Sequence, residues 1–293
     1  MSLPRRLESS NPECKQTVRS RGHDRRRRLR RGVEVCLAES SLASERRRKM
    51  AERAFHDARF GGVSDARADL DKWYAAVAEG ARLQGATIQR LACGGRVLEL
   101  GCADGDLSVG RRGFAREAAH FVGIDISCIA VTRARSRAWL HGLTACDFQV
   151  MDAERLAFRD GSFDLVFGRG ILHHLDLAPA LAQISRVLRP GGVAIFYEPM
   201  GVNPAINLFR RRTPHLRTRD ERPLSMADIA LAQATFRRVE ARYYGLTTLL
   251  AVPLRTTPVG RPIMALCARA DRLLLSLPPI RRHAWHVLLT LIK

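Results

Sequence analysis

The sequence predicts an α/β fold built on a doubly wound, mostly parallel sheet. Three observations carry that expectation. Arg96–Ser108 reads Arg-Val-Leu-Glu-Leu-Gly-Cys-Ala-Asp-Gly-Asp-Leu-Ser. Val97, Leu98 and Leu100 are spaced as in a buried parallel strand, and Gly101, Ala103 and Gly105 then break it with little side-chain bulk. A second apolar strand, His120–Ser127, has an acid, Asp125, at its carboxyl end. Two further apolar runs, Phe163–Phe167 and Val193–Tyr197, flank an amphipathic segment at Ala178–Leu188. Strand, small-residue loop and a helix over Leu107–Ala119 form the opening of a nucleotide-binding α/β domain.

The loop itself narrows the ligand. Pyrophosphate of a dinucleotide calls for G-x-G-x-x-G at a helix N-terminus. Here the spacing is G-x-A-x-G, and Glu99, Asp104 and Asp106 surround it with negative charge. That charge repels phosphate and tolerates a cationic ligand. Asp125 lies 24 residues after Gly101, where a carboxylate accepts hydrogen bonds from ribose hydroxyls; an N-cap for the following helix is its other role.

Glu99, Gly101 and Gly105 match the E-x-G-x-G-x-G motif of the class I S-adenosylmethionine-dependent methyltransferases, with Ala103 in place of the middle glycine. Three later segments resemble the same family: the strand ending at Asp125, Ser162–Leu175 with its Phe-Asp-Leu-Val start and Leu-His-His end, and Arg186–Ile195, Arg-Val-Leu-Arg-Pro-Gly-Gly-Val-Ala-Ile. The resemblance implies a Rossmann-like, seven-stranded sheet whose last strand runs antiparallel. It also implies S-adenosyl-L-methionine as cofactor, held by Glu99, Gly101, Cys102, Ala103, Gly105, Asp125, Ile126, Asp152, Ala153, Gly168 and Arg169. Asp152 would face the adenine amino group and Ala153 the ring. His173 and His174 are the candidate general bases, since imidazole titrates near neutrality; capping or packing the next helix is the alternative. The small-molecule branch is indicated, because the Asn/Asp-Pro-Pro-aromatic turn of nucleobase amino-methylating enzymes is missing.

Charge is divided unevenly. Of the net +20, residues 1–49 carry +9, residues 50–200 zero and residues 201–293 +11. The expected catalytic core is therefore neutral, which weakens the case for nucleic acid. DNA is not expected, and RNA is disfavoured because no aromatic residues interleave the basic ends. Residues 1–49, with Arg25–Arg28 and no apolar period, read as a disordered basic extension or as sequence upstream of a start at Met50. Residues 50–92 read as a helical cap, in which Ala54–Asp57 and Trp73-Tyr74 would close over the cofactor. Residues 93–293 form the methyltransferase domain, with a lid insertion at about 201–224.

The seven cysteines (Cys14, Cys36, Cys93, Cys102, Cys128, Cys146 and Cys267) show no metal spacing. No metal is expected, and reduced thiols suit a cytoplasmic protein. No secretory leader or membrane-spanning segment is read. Lid arginines Arg210–Arg212, Arg217, Arg219 and Arg222 suggest an acidic acceptor. The apolar C-terminal third suggests a lipid-like one, and Leu266–Leu277 has the mixed character of a segment lying on a membrane surface. The reading is a methyltransferase acting by in-line displacement on a small-molecule or lipid-like acceptor. An RNA methyltransferase and a non-catalytic cofactor-binding subunit are the alternatives.

Overall fold

A computed structural model of the chain describes residues 42–62, 71–110, 113–216, 218 and 220–293. Most of the basic extension, with Arg25–Arg28, Cys14 and Cys36, lies outside the described residues, as do Arg217 and Arg219. Two compact units divide the chain, Met1–Met50 and Ala51–Lys293. In the first, residues 42–50 are helical, and Lys49 pairs with Glu45 one turn away at 2.9 Å. The rest concerns the second unit.

Its elements in order are helix α1 over residues 51–61, α2 (Asp71–Tyr74), α3 (Ala78–Ala92) and β1 (Arg96–Leu100). Then come β2 (His120–Asp125), α4 (Cys128–Leu140), β3 (Cys146–Val150), β4 (Phe163–Arg169), α5 (Leu177–Val187) and β5 (Leu188–Pro199). The chain continues with α6 (Pro204–Arg212), α7 (Met226–Thr235), β6 (Arg238–Tyr244), α8 (Thr248–Ala251), α9 (Gly260–Leu274), α10 (Pro278–Arg281) and β7 (His286–Ile292). The seven strands form one sheet in the order β3-β2-β1-β4-β5-β7-β6. β1 to β5 pair in parallel, and β7 inserts antiparallel between β5 and β6. The doubly wound, mostly parallel sheet with an antiparallel last strand is therefore present as expected.

The order reverses beside β1, with β2 on one side and β4 on the other. Ligand crevices open at the carboxyl edges next to such a reversal. Strand composition explains the sheet: Val97, Leu98 and Leu100 are fully buried, as are Leu165, Val166, Phe167, Ala194, Ile195 and Phe196. Two apolar cores result, one per face. Leu181, Ile184 and Val187 of α5 and Ile229 of α7 pack with Leu98 and Val166 on one face. Ile88 of α3 and Val131 and Ala134 of α4 pack with Val97, Leu165 and Phe167 on the other. At Gly123 a Cβ would meet the Phe148 ring at 2.6 Å, so β2 can cross β3's aromatic only with glycine there.

Helix ends follow local chemistry. Ser127 Oγ accepts from the Ala130 N–H at 3.1 Å to start α4, Asn203 Oδ1 accepts from Ile206 with Pro204 in the first turn of α6, and Ser225 and Asp228 form a reciprocal box on α7. One expected helix is absent. The described residues of Leu107–Ala119 form turns and a 3-10 turn at Phe114–Arg116. Gly110 takes φ 131, a conformation helices do not use. The chain folds back so tightly that a Cβ on Gly113 would lie 2.1 Å from the Ser108 carbonyl oxygen. That oxygen accepts from the Ala115 N–H at 3.0 Å. Two glycines outweigh the helix-forming residues around them.

Candidate active site

Beyond β1 the backbone bends through three left-handed residues, Gly101 at φ 66, Ala103 at φ 50 and Gly105 at φ 79. A Cβ on Gly101 would meet the Ile171 side chain at 3.0 Å. Ala103 holds an unusual conformation for a residue with a side chain, and Asp125 fixes it: one carboxylate oxygen accepts from the Ala103 N–H at 3.0 Å, the other from the Ser127 N–H at 2.9 Å. Burial raises the Asp125 carboxyl, opposed by these two amides. Its first task here is to tie the ends of β1 and β2 together.

A cavity of about 650 Å³ opens over this loop, lined by Glu99, Gly101, Cys102, Ala103, Asp104, Asp106, Leu107, Arg169 and Arg133, with Arg59, Phe60 and Gly62 along one side. Of the residues expected to hold the cofactor, Glu99, Gly101, Cys102, Ala103 and Arg169 meet here. Gly105, Asp125, Ile126, Asp152, Ala153 and Gly168 do not line this cavity. Gly105 packs under the loop, where a Cβ would meet Val109 at 3.2 Å and Ala134 at 3.3 Å. The Ile126 carbonyl accepts from Arg53 of α1 at 3.1 Å. Asp152 accepts from the Glu154 N–H at 2.9 Å in a turn, Ala153 is buried, and the Gly168 carbonyl accepts from Gln84 at 2.8 Å.

The loop's charge differs from the expectation. Arg137 of α4 bonds Asp104 and Asp106 at 2.7 Å each. Arg135 caps the Phe148 carbonyl at 2.8 Å, and Arg133 lines the cavity. Two of the three acids named against phosphate thus share one guanidinium, which offsets one of their two charges, and the buried acid of the three is Glu99. It is 2 % exposed, and among the described residues its Oε2 has no hydrogen-bond partner. Burial pushes its carboxyl up to about 8, against the pull of the nearby Ser108 hydroxyl and Arg169. A buried carboxyl group with an unsatisfied oxygen, in a cavity with a glycine-bent floor, fits a ligand that brings a cation and no phosphate. Cys102 is buried, and its thiol is raised well above the ordinary range by desolvation, so it is inert.

A second cavity, about 480 Å³, adjoins the first and shares Arg59 and Arg169 with it. Tyr74, Tyr197, Phe209 and Trp285 give it aromatic walls, and His173, Glu221, Arg210 and His286 give it polar points. His173 is placed by Glu198 at the end of β5. Glu198 Oε2 accepts a hydrogen bond from His173 Nδ1 at 2.8 Å. Its Oε1 accepts from the Ile171 and Leu172 amides at 2.9 and 3.1 Å. Glu198 is fully buried, so the ring's orientation and tautomer are held. His173 Nε2 then faces Glu221 Oε1 at 3.8 Å. His286 stacks on Tyr197 with centroids 4.9 Å apart, and burial lowers its pKa to about 3, so it stays neutral.

His174 turns the other way. Its Nδ1 lies 3.3 Å from Glu52 Oε2, which His56 Nε2 also approaches at 3.5 Å. Burial alone would raise the Glu52 carboxyl, but the two imidazoles hold it below the usual range. Burial also lowers His174. With Asp57 bonded to Ser127 at 2.5 Å, these contacts fasten α1 over the carboxyl ends of the strands. Glu52, His56 and His174, and likewise His173, His174 and Glu221, also bring ligand-type atoms within 4.8 Å of one another. The expected lid arginines separate: Arg210 lines the second cavity, Arg211 and Arg212 are exposed, and Arg222 pairs with Asp228 at 2.8 Å.

Sequence reasoning did not find Glu198, Glu52 or Glu221. Glu198 alone left a signal, an acid ending an otherwise apolar strand at the ligand-binding edge of the sheet.

Residues 98–196 match the model of a methyltransferase-domain family. The chain is 38 % identical over 104 residues to a 27-O-demethylrifamycin SV methyltransferase of Amycolatopsis mediterranei, covering 35 % of this chain and 38 % of that protein. It is 37 % identical over 121 residues to a ubiquinone biosynthesis O-methyltransferase of Hahella chejuensis, covering 40 % and 48 %. The chain thus spans less than half the length of these relatives. In fold it resembles the magnesium protoporphyrin IX methyltransferase of Synechocystis PCC 6803 solved with bound SAH, with a TM-score of 0.53 over 84 % of this chain and 99 % of that one, at 14 % identity. The strand order, the glycine-bent loop after β1 and the family match over residues 98–196 agree: the chain carries a class I S-adenosylmethionine-dependent methyltransferase domain.

Proposed function

We propose that this domain transfers a methyl group from S-adenosyl-L-methionine to a hydroxyl of a small, largely apolar acceptor held in the second cavity. The observation that carries the reading is the His173–Glu198 pair, which presents an imidazole nitrogen to a cavity bordering the glycine-loop cavity. The cofactor supplies an electrophilic methyl on a sulfonium. Glu99 would hold its ammonium, Arg169 its carboxylate, and Gly101 to Ala103 would pass closely beneath it. Asp125 with Ile126 would serve the ribose, Asp152 and Ala153 the adenine, and Gly168 would keep the end of β4 free of bulk. A Cβ on Gly168 would lie 2.6 Å from Ile171.

The chain's remaining work is positioning and one proton. Aromatic walls orient the acceptor and exclude water, and alignment of nucleophile with methyl carbon provides much of the acceleration. His173 Nε2 takes the hydroxyl proton, and Glu198 stabilises the imidazolium. The name of the O-methyltransferase relative supports oxygen as the nucleophile. Cavity size supports a small molecule over a polymer, and Arg210 with Arg169 leaves room for an acidic substituent. The test is a panel of phenols, polyketides and quinols incubated with methyl-labelled cofactor, with cofactor binding measured in parallel. Label in an ether product supports the reading. Cofactor binding without turnover of any acceptor favours the non-catalytic alternative.

Glu99 makes the cofactor affinity pH-dependent. Below about 8 its carboxyl is protonated in the free protein, so binding a cation beside it expels a proton. Affinity is expected to rise between pH 6 and pH 8, by up to roughly tenfold per unit, and to level off above. The same raised pKa means that Glu99's contribution to stability of the free protein is present below 4.5 and lost as pH rises through about 8. Calorimetry at three pH values checks this, and E99Q should flatten the profile.

A further inference from the structure

On the far side of β6 lies a surface that methyl transfer does not use. α9 is held there by Asp271, which accepts from the Leu246 N–H at 3.0 Å, the Thr247 N–H and hydroxyl at 2.6 Å each and the Thr248 hydroxyl at 2.8 Å. The helix is thus pinned along one side. Leu266 and Leu273 sit two turns apart on the side opposite Asp271 and are 66 % and 75 % exposed. Leu277, just past the helix, is 48 % exposed, and Leu250 on α8 is 80 % exposed. Isolated exposed leucines are ordinary; a row of them on a pinned helix is not.

Arginines accompany the row. A groove of about 640 Å³ runs along the flank of the helix that carries Asp271, where Arg82, Arg255, Arg261, Arg269 and Arg272 outnumber the two acids Glu79 and Asp271. Arg272 is paired to Glu79 at 2.8 Å. Arg255, Arg261 and Arg269 have no carboxylate partner among the described residues. Arg269 lies on the helix between Leu266 and Leu273, so each leucine has a cation within one turn.

We propose that this face docks on an anionic phospholipid surface, the leucines entering the acyl boundary and the arginine groove taking phosphate headgroups. The pattern favours a membrane over a protein partner. The leucines are separated by arginines rather than gathered into one apolar patch, and long cationic side chains beside short apolar ones suit the headgroup layer. Among the described residues no helix is long and apolar enough to cross a membrane, so the contact is a peripheral one.

The test is vesicle flotation of the full chain. Vesicles of phosphatidylcholine with about one-third phosphatidylglycerol are compared with phosphatidylcholine alone, at low and at 0.5 M salt. The full chain is expected on anionic vesicles, with binding weakened by salt. Leu266→Glu with Leu273→Glu is expected to reduce the bound fraction at least tenfold. Arg255→Gln with Arg261→Gln and Arg269→Gln should reduce it similarly and blunt the salt effect. Both variants alter exposed side chains, and unchanged cofactor binding confirms their fold. Capture that the leucine variant leaves intact overturns the proposal, as does equal binding to neutral vesicles. A dimer that the leucine variant dissociates without affecting flotation assigns the face to a second copy and also overturns it. Binding of inorganic phosphate in the groove without vesicle capture does the same.

Discussion

Replacing His173 with alanine is expected to lower kcat for an oxygen acceptor by about 10²–10⁴-fold while leaving cofactor affinity unchanged. The asymmetry follows from placement. His173 lines the acceptor cavity and not the glycine-loop cavity, and its Nδ1 is committed to Glu198. Only Nε2 faces the acceptor. Glu198→Gln tests the same pair differently. A carboxamide can still accept from one backbone amide, but it no longer favours the imidazolium, so the pH–rate profile should move while the fold persists. Single-turnover kinetics with saturating cofactor measures both. An unchanged kcat in the alanine variant would move the proton transfer to another group.

Asp125→Ala is the second large effect. The carboxylate receives the Ala103 and Ser127 amides, and both sit where the backbone meets the cavity or begins α4. Leaving a buried donor unsatisfied costs about 1–3 kcal/mol, and two are left here. The left-handed Ala103 loses the contact that holds it. Cofactor affinity is expected to fall at least about 100-fold, the equivalent of roughly 2.7 kcal/mol, with a lower Tm as well. Asp125→Asn keeps one acceptor and should fall between. Titration calorimetry and thermal melts separate loss of ligand from loss of fold.

Much of the sheet was readable in the chain because its strands are short apolar runs ended by glycine or a charged residue. β2 ends at Asp125 as the apolar run from His120 suggests, and β4 begins at Phe163 as its Phe-Asp-Leu-Val start suggests. The absent helix after β1 shows the limit: Leu107–Ala119 has a helical composition, but Gly110 and the tight return at Gly113 decide its path. Pairings across long separations were not readable. Arg137 meets Asp104, Glu198 meets His173, and Glu52 meets His174 only because strand ends converge on one edge. Local patterns report periodicity and backbone freedom; they do not report which charges a sheet brings face to face. Hence the cofactor loop could be located from sequence and the candidate base narrowed to two adjacent histidines, while the orienting acid and the charge balance around the loop could not be read.

Arg59 and Arg169 border both cavities, and Arg169 is fixed from behind by Gln84 at 2.8 Å. A guanidinium standing in a shared wall cannot present the same field to one occupant once the other has arrived. With the cofactor and acceptor loaded as proposed, the two ligands would be thermodynamically linked, and whatever factor the cofactor imposed on acceptor affinity the acceptor would return in equal measure. An acidic acceptor would compete for that charge, whereas a neutral one would find it already spent, so the order in which the two molecules load becomes a property of this wall.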